Sequence, residues 1–494
     1  MPGRLKMRRS LPLIINVAAL VASASALAAP TVVGRVGLVA SGQLGADSLA
    51  IGARDGRVLV TIRVAGGAAR LRQAGFDARA LTGEIADLRA TPDELRRLVA
   101  LPGVATIEER RLLRPLLDAS GPAIGAPAAR AETGLDGSGS LVALIDTGVD
   151  FRHADLRNPD GSTRVVALLD YMHPRGDLHP ELPDYNGGAV WLQPDIDATL
   201  TGEAAGMPAA MPVTEQDANG HGTHVAGIAA SNGLASGNGL PAQRYLGVAP
   251  GAGIIAVQGT HGDATFTDSD VIAGCRFAAE EGARLRRPVV ANLSLGSNSG
   301  PHDGTSDLEI ALDELFPADV PGRAIVIAAG NEGGRDQHAG GWALDGTVTT
   351  SVEVAASAQP DAQLAFELWH TGTFAVTVVS PAGHRYGPVR PGTAFNGPMT
   401  SEGQVLVDNG ASSGPRADGR QPASVVVEGP AGAAPASGRW SLALDGHASR
   451  WDVWISDEPS AGSPAHFVDH VAVDGRLDMP ATAHNAIVVG SFVT

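Results

Sequence analysis

One histidine stands between two glycines in Asn219-Gly-His-Gly-Thr-His-Val-Ala-Gly227, at what reads as the start of a helix. His221 is a candidate general base, because imidazole exchanges a proton near neutral pH. Small residues run on through Ile228, Ala229, Ala230 and Ser231, which lets such a helix press against neighbouring strands. Gly220 and Gly222 are expected to leave room for a substrate backbone. A histidine at a helix start also serves as a cap or a packed core group, so this stretch alone does not establish chemistry.

Two strand ends add chemistry. Leu141-Val-Ala-Leu-Ile145 is an apolar run of buried-strand length and stops at Asp146-Thr147-Gly148. Ala324-Ile-Val-Ile-Ala-Ala329 is another, running into Gly330-Asn331-Glu332-Gly333. Open α/β sheets keep their sites at the carboxyl ends of their strands, so Asp146 and Asn331 are expected at one edge with His221.

These motifs, with Asn292-Leu-Ser-Leu-Gly296, occur in the order of the signatures of subtilisin-like serine proteases, and the chain resembles that family. The resemblance implies that Asp146 orients and supports the imidazolium, that His221 takes and returns the proton, and that Asn331 donates to the oxyanion. It implies that Ser294, Leu295 and Gly296 bind the substrate backbone and line the pocket before the scissile bond, against the alternative of a plain buried strand turn. The family's serine lies in a Gly-Thr-Ser-x-Ala segment after a further strand. Residues 480–494 resemble that strand, so the serine is expected beyond Thr494. Gly304-Thr-Ser306 imitates the motif, but Ser306 followed by Glu309 has capping-box spacing, and Leu308, Ile310, Ala311, Leu312 and Leu315 give an amphipathic helix after it. Ser306 is expected to be a helix cap.

The elements that position these groups fall into blocks. Residues 1–28 read as an export signal, with Arg4, Lys6, Arg8 and Arg9 before an apolar stretch and an Ala26-Leu-Ala28 cleavage site. Residues 29–118 read as a small α+β unit. Its expected strands are Val58–Arg63, Glu84–Arg89 and Val104–Glu108, with helices from Ala68 to Gln73 and from Thr91 to Leu101. Position and pattern resemble the family's propeptides, which are folding templates and inhibitors. Residues 119–133 read as a linker in which propeptide cleavage is expected. Residues 134–334 form the first part of a parallel-sheet core with helices on both faces, in which 180–212 read as loop and Val289–Leu295 as one strand. The alternating segments of 335–478 read as an inserted β-sandwich, jelly-roll-like as in spore-germination-type members of the family, with four of the chain's tryptophans expected in its core. Residues 479–494 resume the core.

The chain has 494 residues and a formal charge of -17; without the signal's four basic groups this is -21. Residues 29–118 hold 13 Arg and 10 acids, or +3, which leaves -24 for the remainder. Such an acidic body argues against nucleic acid and anionic membranes as partners, and complementary charge is expected to help hold the basic unit. Cys275 is the single cysteine, so no internal disulfide forms, and its helical setting makes it a packed apolar residue. No calcium loop of the D-x-[DN]-x-[DN]-G type occurs; the chemistry needs no cofactor, and structural calcium stays open. The resulting expectation is an extracellular or periplasmic serine endopeptidase made as a zymogen, acting on protein or peptide and restrained by its own propeptide, with no membrane partner once the signal is removed. The alternative is a non-catalytic binding protein that uses the substrate groove or the β insert.

Overall fold

The computed structural model describes residues 30–33, 36–44, 56–109, 112–115 and 124–490, apart from 175–178, 208, 237–240, 244, 262–264, 357–362, 412, 432 and 457–464. The expected signal, residues 1–28, lies outside them.

The N-terminal unit runs β1 (Thr31–Val33), α1 (Val36–Ala40), β2 (Val58–Val64), α2 (Gly67–Gln73), β3 (Ala78–Ala80), β4 (Ile85–Ala90), α3 (Pro92–Val99), β5 (Val104–Glu109) and β6 (Leu112–Pro115). Its first five strands form one sheet in the order β1-β5-β2-β4-β3. α3 starts where its sequence requires: Thr91 Oγ1 accepts from the Glu94 N–H at 3.2 Å, the Glu94 carboxylate accepts from the Thr91 N–H at 2.8 Å, and Pro92 fills the first turn. It ends at Val99, two residues short of the expected Leu101.

The core follows with α4 (Ala126–Thr133), β7 (Leu141–Asp146), β8 (Val165–Pro174), β9 (Gly188–Leu192), α5 (Gln193–Ala205), α6 (His221–Ala230), β10 (Gly253–Gln258), β11 (Phe266–Thr267), α7 (Asp268–Leu285), β12 (Val289–Leu293), β13 (Leu295–Gly296), α8 (Asp307–Leu315) and β14 (Arg323–Ala328). Seven strands make the main sheet in the order β23-β14-β12-β7-β10-β8-β9, where β23 (Ile487–Val489) returns after the insert. All pairs are parallel except β8 with β9. Two readings are corrected here. Residues 180–212 are not loop throughout: they hold β9 and α5, whose start carries Pro194 and whose Ile196, Thr199 and Leu200 are buried. The run Val289–Leu295 is not one strand but breaks at Ser294, which lets Leu295-Gly296 leave the sheet for another pairing.

α7 and α8 bury one face of the sheet with Ala143, Ile145, Ile255, Val257, Ala291 and Leu293. α5 and α6 bury the other with Leu144, Val165, Leu168, Ile254 and Ala256. That second face is bare at one end: Val290 on β12 is 38% exposed, and Ile487 and Val489 on β23 are 56% and 52% exposed. A parallel sheet is normally covered on both faces, so this exposed apolar patch is unusual for one.

Between β14 and β23 the chain forms β15 (His338–Val354), β16 (Gln363–Val379), β17 (Arg385–Val389), β18 (Thr393–Asn396), β19 (Gln404–Asn409), β20 (Arg420–Glu428), β21 (Gly438–Ile455) and β22 (Ala465–Phe467). They hydrogen-bond as one antiparallel sheet. The strands β15, β16 and β21 run to 17 or 18 residues and share one cluster along both halves, so the sheet folds back on itself as a sandwich. Asn409 ties the layers by donating to the carbonyls of Phe374 at 2.8 Å and Val389 at 3.0 Å. Trp369, Trp440, Trp451 and Trp454 are all buried, but only Trp440 and Trp451 lie in the insert's main core; Trp369 and Trp454 form a separate cluster. The insert grips the loop after Gly296: Arg416 donates to Thr305 O, Arg420 pairs with Asp303, and Trp454 is stacked between the His302 and His338 rings at 4.4 and 4.3 Å.

Ser306 is fully buried and accepts from the Glu309 N–H at 3.2 Å, and its own N–H donates back to the Glu309 carboxylate. It is the cap of α8. Ser306→Ala should lower stability by about 1–2 kcal/mol, read as a shift of the urea midpoint. A loss of hydrolysis without that shift would assign it chemistry instead.

Candidate active site

Asp146 is the last residue of β7 and is 1% exposed. Its Oδ1 accepts from the Thr147 N–H at 2.7 Å and lies 2.7 Å from His221 Nδ1. His221 opens α6, after Gly220 at φ 86. The structure therefore brings together the expected acid and base, 75 residues apart in sequence. Burial drives the Asp146 carboxyl upward from its usual range, while the hydrogen bond and charge of His221 and the Thr147 N–H oppose it.

Gly222 does a different job from the one expected. A Cβ there would lie 2.0 Å from Gly148 O and 3.2 Å from Asp146 Cβ. Its missing side chain lets the first turn of the helix abut the Asp146–Gly148 turn, rather than leaving room for substrate. The Gly222 N–H donates to Thr147 Oγ1 at 2.9 Å, which fixes that approach.

Asp217 is the residue that sequence reasoning missed. One carboxylate oxygen accepts from the Thr147 hydroxyl at 2.7 Å and the Gly220 N–H at 2.9 Å; the other accepts from the Thr223 N–H and hydroxyl at 2.7 and 2.6 Å. A carboxylate on the free N–H groups of a helix start favours the helix electrostatically, and here it also locks α6 to the end of β7. The available signal was an acid just before Asn219-Gly220 and a helix start. Asp170 is not a partner of His221: it lies on β8, two strands from Asp146 across β10, and binds the Met172 N–H and His173 Nδ1 at 2.8 and 2.6 Å.

Asn331 follows β14 at the same sheet edge with its side chain exposed, and its N–H donates to the Glu332 carboxylate at 2.7 Å. Leu293 pairs with Ile145, so Ser294 leaves β12 at the level of Asp146. Leu295 and Gly296 then pair antiparallel with Pro115 and Arg114 of β6, and Leu113 and Leu112 pair with Phe266 and Thr267 of β11. A three-stranded sheet results, β11-β6-β13, in which β6 occupies the centre as a guest strand fills a groove. β11, the groove's other wall, was not foreseen, because two residues carry no periodic signal.

His221 Nε2 and Asp146 Oδ2 are buried and have no hydrogen-bond partner among the described residues. An imidazole whose Nδ1 is held by a carboxylate presents a basic Nε2 and can take a proton from a hydroxyl. A cavity of about 540 Å³ lies around the turn after Asp146, lined by Thr147, His173, Glu215, Asp217, Asn219 and Gln258 but by neither Asp146 nor His221. Among the described residues, no cluster of metal-binding side chains is present.

Glu215 is the other unforeseen group. Its Oε1 accepts from the Asp217 N–H at 2.6 Å and would meet a Cβ at Gly148. Burial first, with the charges of Asp170 and Asp217 adding to it, pushes its carboxyl up to about 8. A raised folded pKa means that Glu215 contributes fully below its unfolded value near 4.5 and loses that contribution as pH rises through about 8. Glu215→Gln should therefore flatten the fall in melting temperature between pH 5 and 9 and melt higher than the parent above pH 8. Parallel curves across that range would refute a protonated Glu215.

The subtilase family matches residues 137–450, well over half of the chain. The minor extracellular protease Vpr of Bacillus subtilis (strain 168) is 32% identical over 250 residues, 50% of this chain and 24% of Vpr. Pyrolysin of Pyrococcus furiosus is also 32% identical over 250 residues, 45% of this chain and 16% of its own length. The chain thus spans a quarter or less of these relatives. The CspB protease of Clostridium perfringens shares the fold, with a TM-score of 0.60 at 24% identity over 74% of this chain and 71% of that one. With motifs, fold and paired Asp146 and His221 in agreement, the chain belongs to the subtilase family.

Proposed function

We propose that this protein is an exported serine endopeptidase made as a zymogen, with residues 29–118 as its propeptide. The observation that carries the reading is the buried Asp146–His221 pair, with an unengaged Nε2, at the sheet edge where β6 lies in the groove. In the reaction, His221 takes the proton of a serine hydroxyl as the oxygen attacks the scissile carbonyl, and Asp146 steadies the imidazolium that forms. The Asn331 amide donates to the oxyanion. His221 returns the proton to the leaving amine, and water repeats the cycle on the acyl-enzyme.

A substrate is bound as a strand between β11 and β13, and β6 keeps it out until cleavage in the 119–133 linker, ahead of α4 (Ala126–Thr133), releases the tail. The serine is assigned to a Gly-Thr-Ser-x-Ala segment encoded after Thr494, opening a helix that covers Val290, Ile487 and Val489; their exposure supports this assignment. Export rests on the signal pattern of residues 1–28. Among the described residues, no helix is long and apolar enough to cross a membrane.

Reading the gene and its transcript past the codon for Thr494 tests this first. The expected result is an open frame into that segment, and the full product should hydrolyse peptides. In it, Asp146→Asn should lower kcat by roughly 10^4 and His221→Ala by roughly 10^6. A stop codon directly after Thr494 would overturn the peptidase reading and leave the groove as a strand-binding site.

A further inference from the structure

The main sheet carries a second buried acid level with the first. Gln258 of β10 pairs with Asp146 of β7 on one side and with Asp170 of β8 on the other, so the two carboxyls lie in one row across three strands. Asp170 is fully buried, and both of its oxygens are engaged: Oδ1 accepts from the Met172 N–H at 2.8 Å and Oδ2 from His173 Nδ1 at 2.6 Å. Burial drives the Asp170 carboxyl upward from its usual range, and the hydrogen bond and charge of His173 oppose it. The acid thus repeats at β8 what Asp146 does at β7, with an imidazole from its own strand in place of one from a helix.

His173 also meets a hydroxyl. Because Asp170 accepts at Nδ1, the neutral ring carries its proton there and leaves Nε2 as the acceptor. Thr214 Oγ1 lies 2.7 Å from that Nε2, so the hydroxyl donates to it. Acid, imidazole and hydroxyl stand in the order and at the distances of a nucleophile activated by an oriented base. A tie between two loops needs only the imidazole and the hydroxyl; a carboxyl buried behind them adds a desolvation cost. His173 and Thr214 both line the cavity of about 540 Å³, which falls in the roughly 300–1,000 Å³ range of small-ligand sites. Asn219 is on the same wall; its Oδ1 accepts from the His221 N–H at 3.3 Å, which leaves the Nδ2 donors for a developing oxyanion.

We propose that Thr214 and His173, positioned by Asp170, form a second acyl-transfer centre that hydrolyses small esters in this cavity. Thr214 Oγ1 attacks the ester carbonyl as its proton passes to His173 Nε2, which gives a tetrahedral oxyanion. Collapse breaks the carbon–oxygen bond to the alcohol, the alcohol leaves with that proton, and acyl-Thr214 remains. Water then gives a proton to His173 as it attacks the acyl-threonine; the carboxylic acid is released and Thr214 recovers its proton. Ester and water are the only reactants consumed. Esters suit the site because an alkoxide leaves more readily than an amine, and because the cavity lacks the pair of strand edges that β11 and β13 offer a peptide. None of this depends on the peptidase reading.

The test is to mix the full chain with p-nitrophenyl acetate, quench in acid within seconds, and locate the acetyl group by peptide mass spectrometry. The acetyl group should be found on Thr214. Thr214→Val should abolish that label and Thr214→Ser, which keeps the hydroxyl, should retain it. His173→Gln should slow the labelling of Thr214 roughly a hundredfold. The Thr214 side chain is exposed and that of His173 is half-exposed, so these variants should fold, which circular dichroism checks. An unlabelled Thr214 would overturn the proposal, as would labelling that is equally fast in folded His173→Gln. If His173→Gln does not fold, the position of the acetyl group in the unmodified chain decides. A peptidase serine would carry its acetyl group on a different peptide, so failure of the peptidase reading and failure of this centre are told apart by mass.

Discussion

A carboxylate withdrawn from water must be matched by donors that reach it, and Asp146 is such a group at the end of a buried strand. Much of the local architecture follows from that constraint. The Thr147 N–H and His221 Nδ1 supply the partners. His221 reaches it only because α6 begins against the strand end, and that approach requires the bare Cα of Gly222 over Gly148 O. Asp217 holds the arrangement by accepting from both sides, the Thr147 hydroxyl of the strand turn and the N–H groups of the helix start.

The larger fold extends this logic outward. Parallel pairing of β7 with β10 and β12 aligns strand ends, so Asp146 and Ser294 come to one edge. The break at Ser294 frees Leu295-Gly296 to act as a groove wall. The loop that follows is fixed by the insert, through Arg416, Arg420 and the stack of Trp454 between two imidazoles. The insert thus buttresses the groove from behind.

Much of this was legible in the residues. Leu141–Ile145 and Ala324–Ala329 announced buried strands by composition, Asp146 and Asn331 stood at their ends, and Ser306 with Glu309 spelled a cap. The N-terminal unit was readable because its strands alternate and its helix α3 carries a complete capping box. What was not legible depends on long-range geometry. The role of Gly222 needs the position of Gly148 O, and Asp217 and Glu215 gain meaning only when Thr147 and Gly148 fold back on them. β9 and α5 were hidden by Pro, Gly and Asp, which read as loop but here start and interrupt elements.

Whether the Asp146–His221 pair is structural or chemical can be argued from what else holds α6 in place. Two links bind the helix start to the strand end without it: the Gly222 N–H on the Thr147 hydroxyl, and Asp217 on Thr147, Gly220 and Thr223. The helix would stay seated if position 146 were apolar, and an apolar residue would avoid the cost of burying a carboxyl whose ionisation burial disfavours. A fold that only had to be stable, or only had to bind a strand between β11 and β13, gains nothing from this acid. A carboxyl kept there against its desolvation, and aimed at an imidazole whose other nitrogen is unengaged, is what the proposed proton transfer requires. That physical asymmetry favours the enzyme over the binding protein.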